Sequence, residues 1–156
     1  MLVRRGNMGY QSSAKNFILS FDLAGAEGPA DYKELCPLNI DYDQGETLDT
    51  WNDLCSQIAN NIKTAIDPTW SVSFKFAKTD PVAQKIISME YAVGEAATIK
   101  TRLVNLLKGT KGMQIDFTAT ISGISYSASS EEVLQIDFDL KVADNSTFKE
   151  TEYTPA

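Results

Sequence analysis

Histidine is absent from all 156 residues, and cysteine occurs only twice, at Cys36 and Cys55. Nucleophilic triads built on serine or cysteine normally need an imidazole base, so that chemistry has no footing here. A zinc centre takes four nitrogen or sulfur ligands, or three and a water, which two thiols cannot supply alone. The pair allows a Cys36–Cys55 disulfide or two free buried thiols; the free thiols are the expectation for a chain made and kept in a reducing cytoplasm. No apolar run reaches eighteen residues, so no membrane span is expected. Met1-Leu2-Val3-Arg4-Arg5 has the charge of a signal peptide without the apolar stretch behind it. Basic residues are the minority, 14 Lys and Arg against 21 Asp and Glu, for a net charge of −7. That balance argues against stable nucleic-acid binding and against docking on an anionic membrane.

What is present is alternation. From Met113, the residues Ile115, Phe117, Ala119 and Ile121 alternate with Gln114, Asp116, Thr118 and Thr120. Leu134, Ile136, Phe138, Leu140 and Val142 alternate with Gln135, Asp137, Asp139 and Lys141. Period two means a strand with one face in a core and one face wet. Ile99, Leu103 and Leu107 share a face with Thr101 and Asn105, a less regular strand. Lys108-Gly109-Thr110-Lys111-Gly112 is a turn whose glycines take positive φ, and Ser127 to Glu131 makes a second connection. The stretch 97–142 therefore reads as an antiparallel meander.

Upstream, residues 1–14 form a polar arm. Phe17, Leu19, Phe21 and Leu23 mark a strand. Tyr32 to Ile40 reads as a short strand interrupted by Pro37, which confines it to an edge. Asp41 to Thr50 is acidic and turn-like. Leu54, Ile58, Ile62 and Ile66 recur every four residues behind a Thr50 cap, which suits an amphipathic helix. Asn60-Asn61 disfavours that helix, and a long ordered loop is the alternative. Trp70, Val72, Phe74 and Phe76 put four large apolar side chains on one strand face. Asp80-Pro81 then begins a helix over about 80–91, with Asp80 as N-cap and Gly94 as its stop. After Asp144 the chain reads as a polar tail, 145–156. About six strands and one helix make a mainly β domain over 15–144, an antiparallel β-sandwich or partial barrel with a flanking helix and a long inter-strand loop.

Chemical sites are sparse. Asp137 and Asp139 share a strand face that Asp116 can join, a set usable in glycoside hydrolysis or metal binding. The plainer reading is a solvated strand face. Gly109 to Gly112 lacks the spacing of a phosphate loop and opens a strand rather than a helix. Asn145-Ser146-Thr147 is a chance glycosylation sequon. Trp51, Tyr32 and Tyr42 are the aromatics available to a carbohydrate-binding β-sandwich, the rival functional class.

The order of elements carries a resemblance. Ser73-Phe74-Lys75-Phe76, then Asp80-Pro81-Val82-Ala83-Gln84-Lys85-Ile86-Ile87, then Gly94-Glu95 and a rising strand, resembles major tail (tail tube) proteins of long-tailed phages and phage-like particles of mainly Gram-positive bacteria. Phe117 to Tyr126, Leu134 to Leu140, and Phe17 to Leu23 followed by Cys36-Pro37-Leu38 fit the same pattern. The likeness spans about Phe17 to Phe148. It implies a structural subunit without enzymatic activity or cofactor, assembled in the host cytoplasm into hexameric rings that stack as a virion tail tube. Partners would be further copies of the chain, tape-measure and tail-end proteins, and double-stranded DNA in passage. A bacteriocin-like injection particle that carries no DNA poses the same assembly problem. Within this frame Gln114, Asp116, Thr118, Thr120, Gln135, Asp137 and Asp139 are expected to line the lumen, where like charge keeps phosphates from sticking. Arg4, Arg5, Tyr42, Trp51, Leu54 and Ile58 are expected at contacts between rings.

Overall fold

The computed structural model describes residues 16–25, 28–51, 58–127 and 134–155. The arm 1–14 with Arg4 and Arg5, and also Leu54 and Cys55, lie outside them. Ten strands occur among the described residues. Eight form one antiparallel sheet in the order β2-β1-β7-β8-β9-β6-β3, with β10 pairing to β8 off that path. Here β1 is Phe17–Asp22, β2 Tyr32–Leu35, β3 Asn39–Asp43, β6 Thr69–Lys75, β7 Thr98–Asn105, β8 Met113–Ser127, β9 Gln135–Val142 and β10 Lys149–Glu152. The remaining pair, β4 (Thr47–Trp51) and β5 (Asn60–Ala65), makes a separate two-stranded sheet.

The large sheet curls into a half-barrel around its own apolar face. Leu19, Phe21, Leu35, Val72, Phe74, Phe138 and Leu140 are all buried in one cluster. Trp70 stacks on Phe117 with ring centroids 5.1 Å apart, and Phe74 meets Phe138 edge-on at 5.8 Å. Each such side chain contributes roughly 1.5–3 kcal/mol on burial, so alternation decides the fold. Thr101, expected on the apolar face of β7, is fully buried there, with its hydroxyl donating to the Ile99 carbonyl at 3.2 Å. Leu107 is not part of that face; it is exposed in the β7–β8 turn.

Pro37 acts as its chemistry dictates. It separates β2 from β3, and these two strands are the opposite edges of the sheet. Only three residues, Cys36-Pro37-Leu38, join them. Four extended steps span at most about 14 Å, so the two edges must come close. That link is exposed at Cys36, which corrects the expectation of a buried thiol there.

Helix α1 (Pro81–Ser88) starts as its sequence predicts. Asp80 accepts a hydrogen bond from the Val82 amide at 3.0 Å, with Pro81 at the first helical position. Val82, Ala83 and Ile86 face the core. The helix ends at Ser88 with Met89 as its C-cap, earlier than the expected stop at Gly94; Gly94 instead opens a 3₁₀ turn with φ 63°.

Three segments depart from expectation. Around Ile58, Ile62 and Ile66 the chain is neither helix nor loop but the β4–β5 hairpin with the strand 47–51. A spacing of four is even, so it fits one face of a strand as well as one face of a helix. Threonines and Trp51 then favour the strand. The acidic stretch 41–50 likewise holds the end of β3, a turn and β4. In that turn Gly45 has φ 60° and presses against the Asp67 carbonyl, so a side chain there would collide. The segment read as a polar tail forms β10, which pairs Lys149 to Glu152 with Asp116 to Met113. Backbone pairing with β8, a 2.6 Å Lys108–Glu150 ion pair and Phe148 beside the Phe117 ring fix it in place.

Asp22 anchors the β1–β2 loop. Its carboxylate is buried and accepts from the amides of Asp31 at 2.9 Å and Ala24 at 3.0 Å. The Asp31 hydrogen bond holds its pKa below the ordinary carboxylate value against the opposing effect of burial. The resulting stabilisation is complete above the unfolded-state pKa and fades as pH falls through the lower folded-state value. Asp22→Asn should therefore cost about 1 kcal/mol at neutral pH and flatten the stability loss below about pH 4. Urea unfolding of both proteins from pH 7 to 2 checks this; parallel curves would remove Asp22 from the account.

Candidate assembly surfaces

Three surfaces remain once the core is assigned: the polar sheet face and the two ends of the strand axis. Register defines the face. Gln114, Asp116, Thr118 and Thr120 on β8, with Gln135, Asp137 and Asp139 on β9, alternate with buried or partly buried apolar residues and are themselves half-buried. The sequence-derived set therefore shares one face.

Its charge is not uniform. Asp116 lies between Arg102 on β7 and Lys149 on β10. The Arg102 Nε donates to the Asp116 carboxylate at 2.9 Å, and Gln114 donates to its other oxygen at 3.1 Å. The Arg102 guanidinium also sits 4.2 Å over the Tyr32 ring. Asp116 is thus largely neutralised. Asp139 faces Ser71 on one side and Ser122 on the other, and Asp137 faces Ser73 and Ser125. Ser71 donates to Asp139 at 2.8 Å, and Gln135 to Asp137 at 3.3 Å. Asp41 on β3 lies opposite Ser71, so serines and carboxylates alternate across four strands. Lys141, on the same face, is tied to Asp67 at 3.1 Å.

Asp116 does not join Asp137 and Asp139, so the three-carboxylate set does not assemble. Asp116 and Ser122, the partner of Asp139, are six positions apart on β8, roughly 20 Å at strand rise. A cooperating carboxylate pair needs about 5–10 Å. Among the described residues no group of three or more metal-ligating side chains converges. The aromatics of the carbohydrate reading are also dispersed. Tyr32 lies on one sheet edge, Tyr42 on the other, and Trp51 on the hairpin. Tyr42 packs on Trp70 with centroids 5.2 Å apart, and Trp51 is half exposed within β4.

The curl of the sheet has two ends. Tyr42, Ile66, Pro68, Asn105 and Met113 line one groove at the first, where the β4–β5 hairpin leaves the sheet. Lys75, Gln135 and Ser127 are paired at the other, which α1 follows in the chain, and Asp22 shares a groove with Lys85 of that helix. We call these the hairpin pole and the helix pole. Every residue of β4 is exposed, and all of β5 after Asn60. A hairpin wet on both faces is marginal by itself. At its base a groove of about 410 Å³ opens among Tyr42, Ile66, Pro68, Trp70 and Phe148.

At the helix pole β8 extends past the start of β7 and carries a bulge between Ser122 and Ser125. Gly123 supplies its positive φ of 63°. The extra residue places Tyr126 opposite Ile136, on the core side of the sheet. There its hydroxyl donates to the Glu90 carboxylate, which pushes the phenol up to about 12. Sequence alternation alone does not reveal this contact, although the isolated glycine inside the strand pattern marks the place.

This fold is shared with tube subunits of known structure. The SPP1 tail tube matches with a TM-score of 0.65 at 18% identity, over 90% of this chain and 79% of that one. A chain from the virion of a native gene transfer agent particle matches with a TM-score of 0.67 at 12% identity, covering 90% and 99%. A chain from the sheath–tube complex of an extracellular contractile injection system gives 0.55 at 10%, covering 97% and 100%. No protein-family model matches the chain, and no curated protein is significantly similar to it. At these identities the likeness is one of fold.

The Arg102–Asp116 pair is one-third exposed on both sides, so its worth is small and measurable. A double-mutant cycle of Arg102→Met and Asp116→Asn should give a coupling of about 0.5–1 kcal/mol that shrinks with added salt. A coupling of zero at low salt would make the pair incidental.

Proposed function

We propose that this chain is the structural subunit of a tail tube. Six copies close a ring, rings stack, and the hollow stack conducts duplex DNA from a virion into a bacterium. Assembly takes place in the host cytoplasm around a tape-measure protein, with tail-end proteins capping the stack. The observation that carries this reading is the likeness of the fold to tail and tube subunits over about nine tenths of the chain. A further neighbour belongs to a gene transfer agent tail with C6 symmetry, which supports six copies per ring. The curled sheet also leaves β2 and β3 as edges, and unpaired edges favour closure by further copies.

In this reading the polar face carrying Gln114, Asp116, Thr118, Thr120, Gln135, Asp137 and Asp139 lines the lumen. Asp137 and Asp139 supply most of its repulsion toward phosphates, because Arg102 offsets Asp116. Arg4, Arg5, Tyr42, Trp51, Leu54 and Ile58 belong to the contacts between rings. The tube of an injection particle that carries no DNA is the second reading, supported by the injection-system neighbour.

Negative-stain microscopy of the concentrated protein should show rings and tubes; a monomer at every concentration would overturn the proposal. Asp137→Lys combined with Asp139→Lys should leave tubes intact while slowing DNA ejection at least roughly tenfold, through added attraction for the duplex. Unchanged ejection by that variant would count against a DNA-conducting lumen lined by this face.

A further inference from the structure

The three most exposed large apolar side chains of the described surface lie at opposite poles. Tyr91 is 88% exposed and Val93 82%, both between α1 and β7 at the helix pole. Ile58 is 80% exposed, just before β5 at the hairpin pole. Trp51 and Ile62 share one face of the hairpin and join Ile58 there, with Leu48 on the opposite face, while Tyr126, held by Glu90, stands with Tyr91. Clustered exposed apolar groups of this kind mark contact sites. Unlike patches at opposite ends of one molecule make heterologous contacts, which propagate head to tail.

Charge runs in the same sense. Residues 43–67 carry five carboxylates and one lysine, whereas residues 75–100 carry four lysines and three carboxylates. Of those three, Asp80 is occupied in capping α1 and Glu90 in holding Tyr126. The acidic hairpin segment therefore meets the lysines that flank and occupy α1, Lys75, Lys78 and Lys85, when copies stack in the same direction.

We propose that the β4–β5 hairpin of one copy seats its apolar side chains on Tyr91, Val93 and Tyr126 of a copy in the adjoining ring. The inference rests on the tube reading and adds to it the surface that receives the hairpin. It gives both poles a role and sets the direction of growth.

The test uses the full chain with Cys36→Ser and Cys55→Ser, adding Ile62→Cys and Val93→Cys together. Oxidation of assembled tubes should produce a disulfide ladder longer than one ring, lost when the tubes are dissociated first. In parallel, Tyr91→Asp with Val93→Asp on the otherwise natural chain should keep the unfolding midpoint and shorten mean tube length at least roughly tenfold. If the unaltered chain forms no tubes, the tube reading fails and this inference with it. If it forms tubes but no ladder appears and the aspartate variant grows to full length, the docking surface is wrong while the tube reading stands. A ladder that stops at one ring also overturns it.

Discussion

A single sheet with one apolar face has to cover that face with itself, and this requirement organises the whole chain. Among the described residues the core draws on seven strands and one helix, with no second full sheet to pack against. Curling is the remaining way to remove so many large side chains from water. The short Cys36–Leu38 link is compatible with nothing flatter, since it joins the two strands farthest apart in the sheet order. Helix α1 then fills one end of the curl with Val82, Ala83 and Ile86. The opposite end stays partly open as the groove beneath the hairpin.

The polar face follows from the same alternation, but its electrostatics come from neighbours that sequence spacing does not rank. Three aspartates look equivalent along β8 and β9. Register gives one of them an arginine and the other two serines. The face is therefore a mixed field, cationic near β7 and β10 and anionic toward β9, β6 and β3. A surface of that kind differs from one lined by carboxylates alone, because a polyanion brought against it would feel repulsion from only part of it.

The legible parts of the sequence were those where side chains carry the signal. Trp70 to Phe74, Phe117 to Ile121 and Ile136 to Leu140 alternate because each second residue is buried, and Asp80-Pro81 marks a helix start through cap chemistry. The missed parts lack such a signal. In β10, Lys149-Glu150-Thr151-Glu152 is held by backbone bonds that leave no pattern in the residues. The hairpin strands bury nothing within the chain, so their isoleucines answer to no face of this core and their spacing is ambiguous. Arg102 gave no sign of its partner because the pairing joins residues 14 positions apart through a register set by the turn.

The bulge at Gly123 has a consequence for how such a surface can change over evolutionary time. Adding a Cβ there would bring it within 2.9 Å of an Asp139 carboxylate oxygen, on a backbone that side chains rarely adopt. One surplus residue decides which chemistry the last turn of β8 presents on each side. Losing it by a single-codon deletion would exchange the two sides, sending serine hydroxyls toward the helix and the tyrosine toward the carboxylates. The tip of this strand is therefore a point where a minimal genetic event rewrites two surfaces at once.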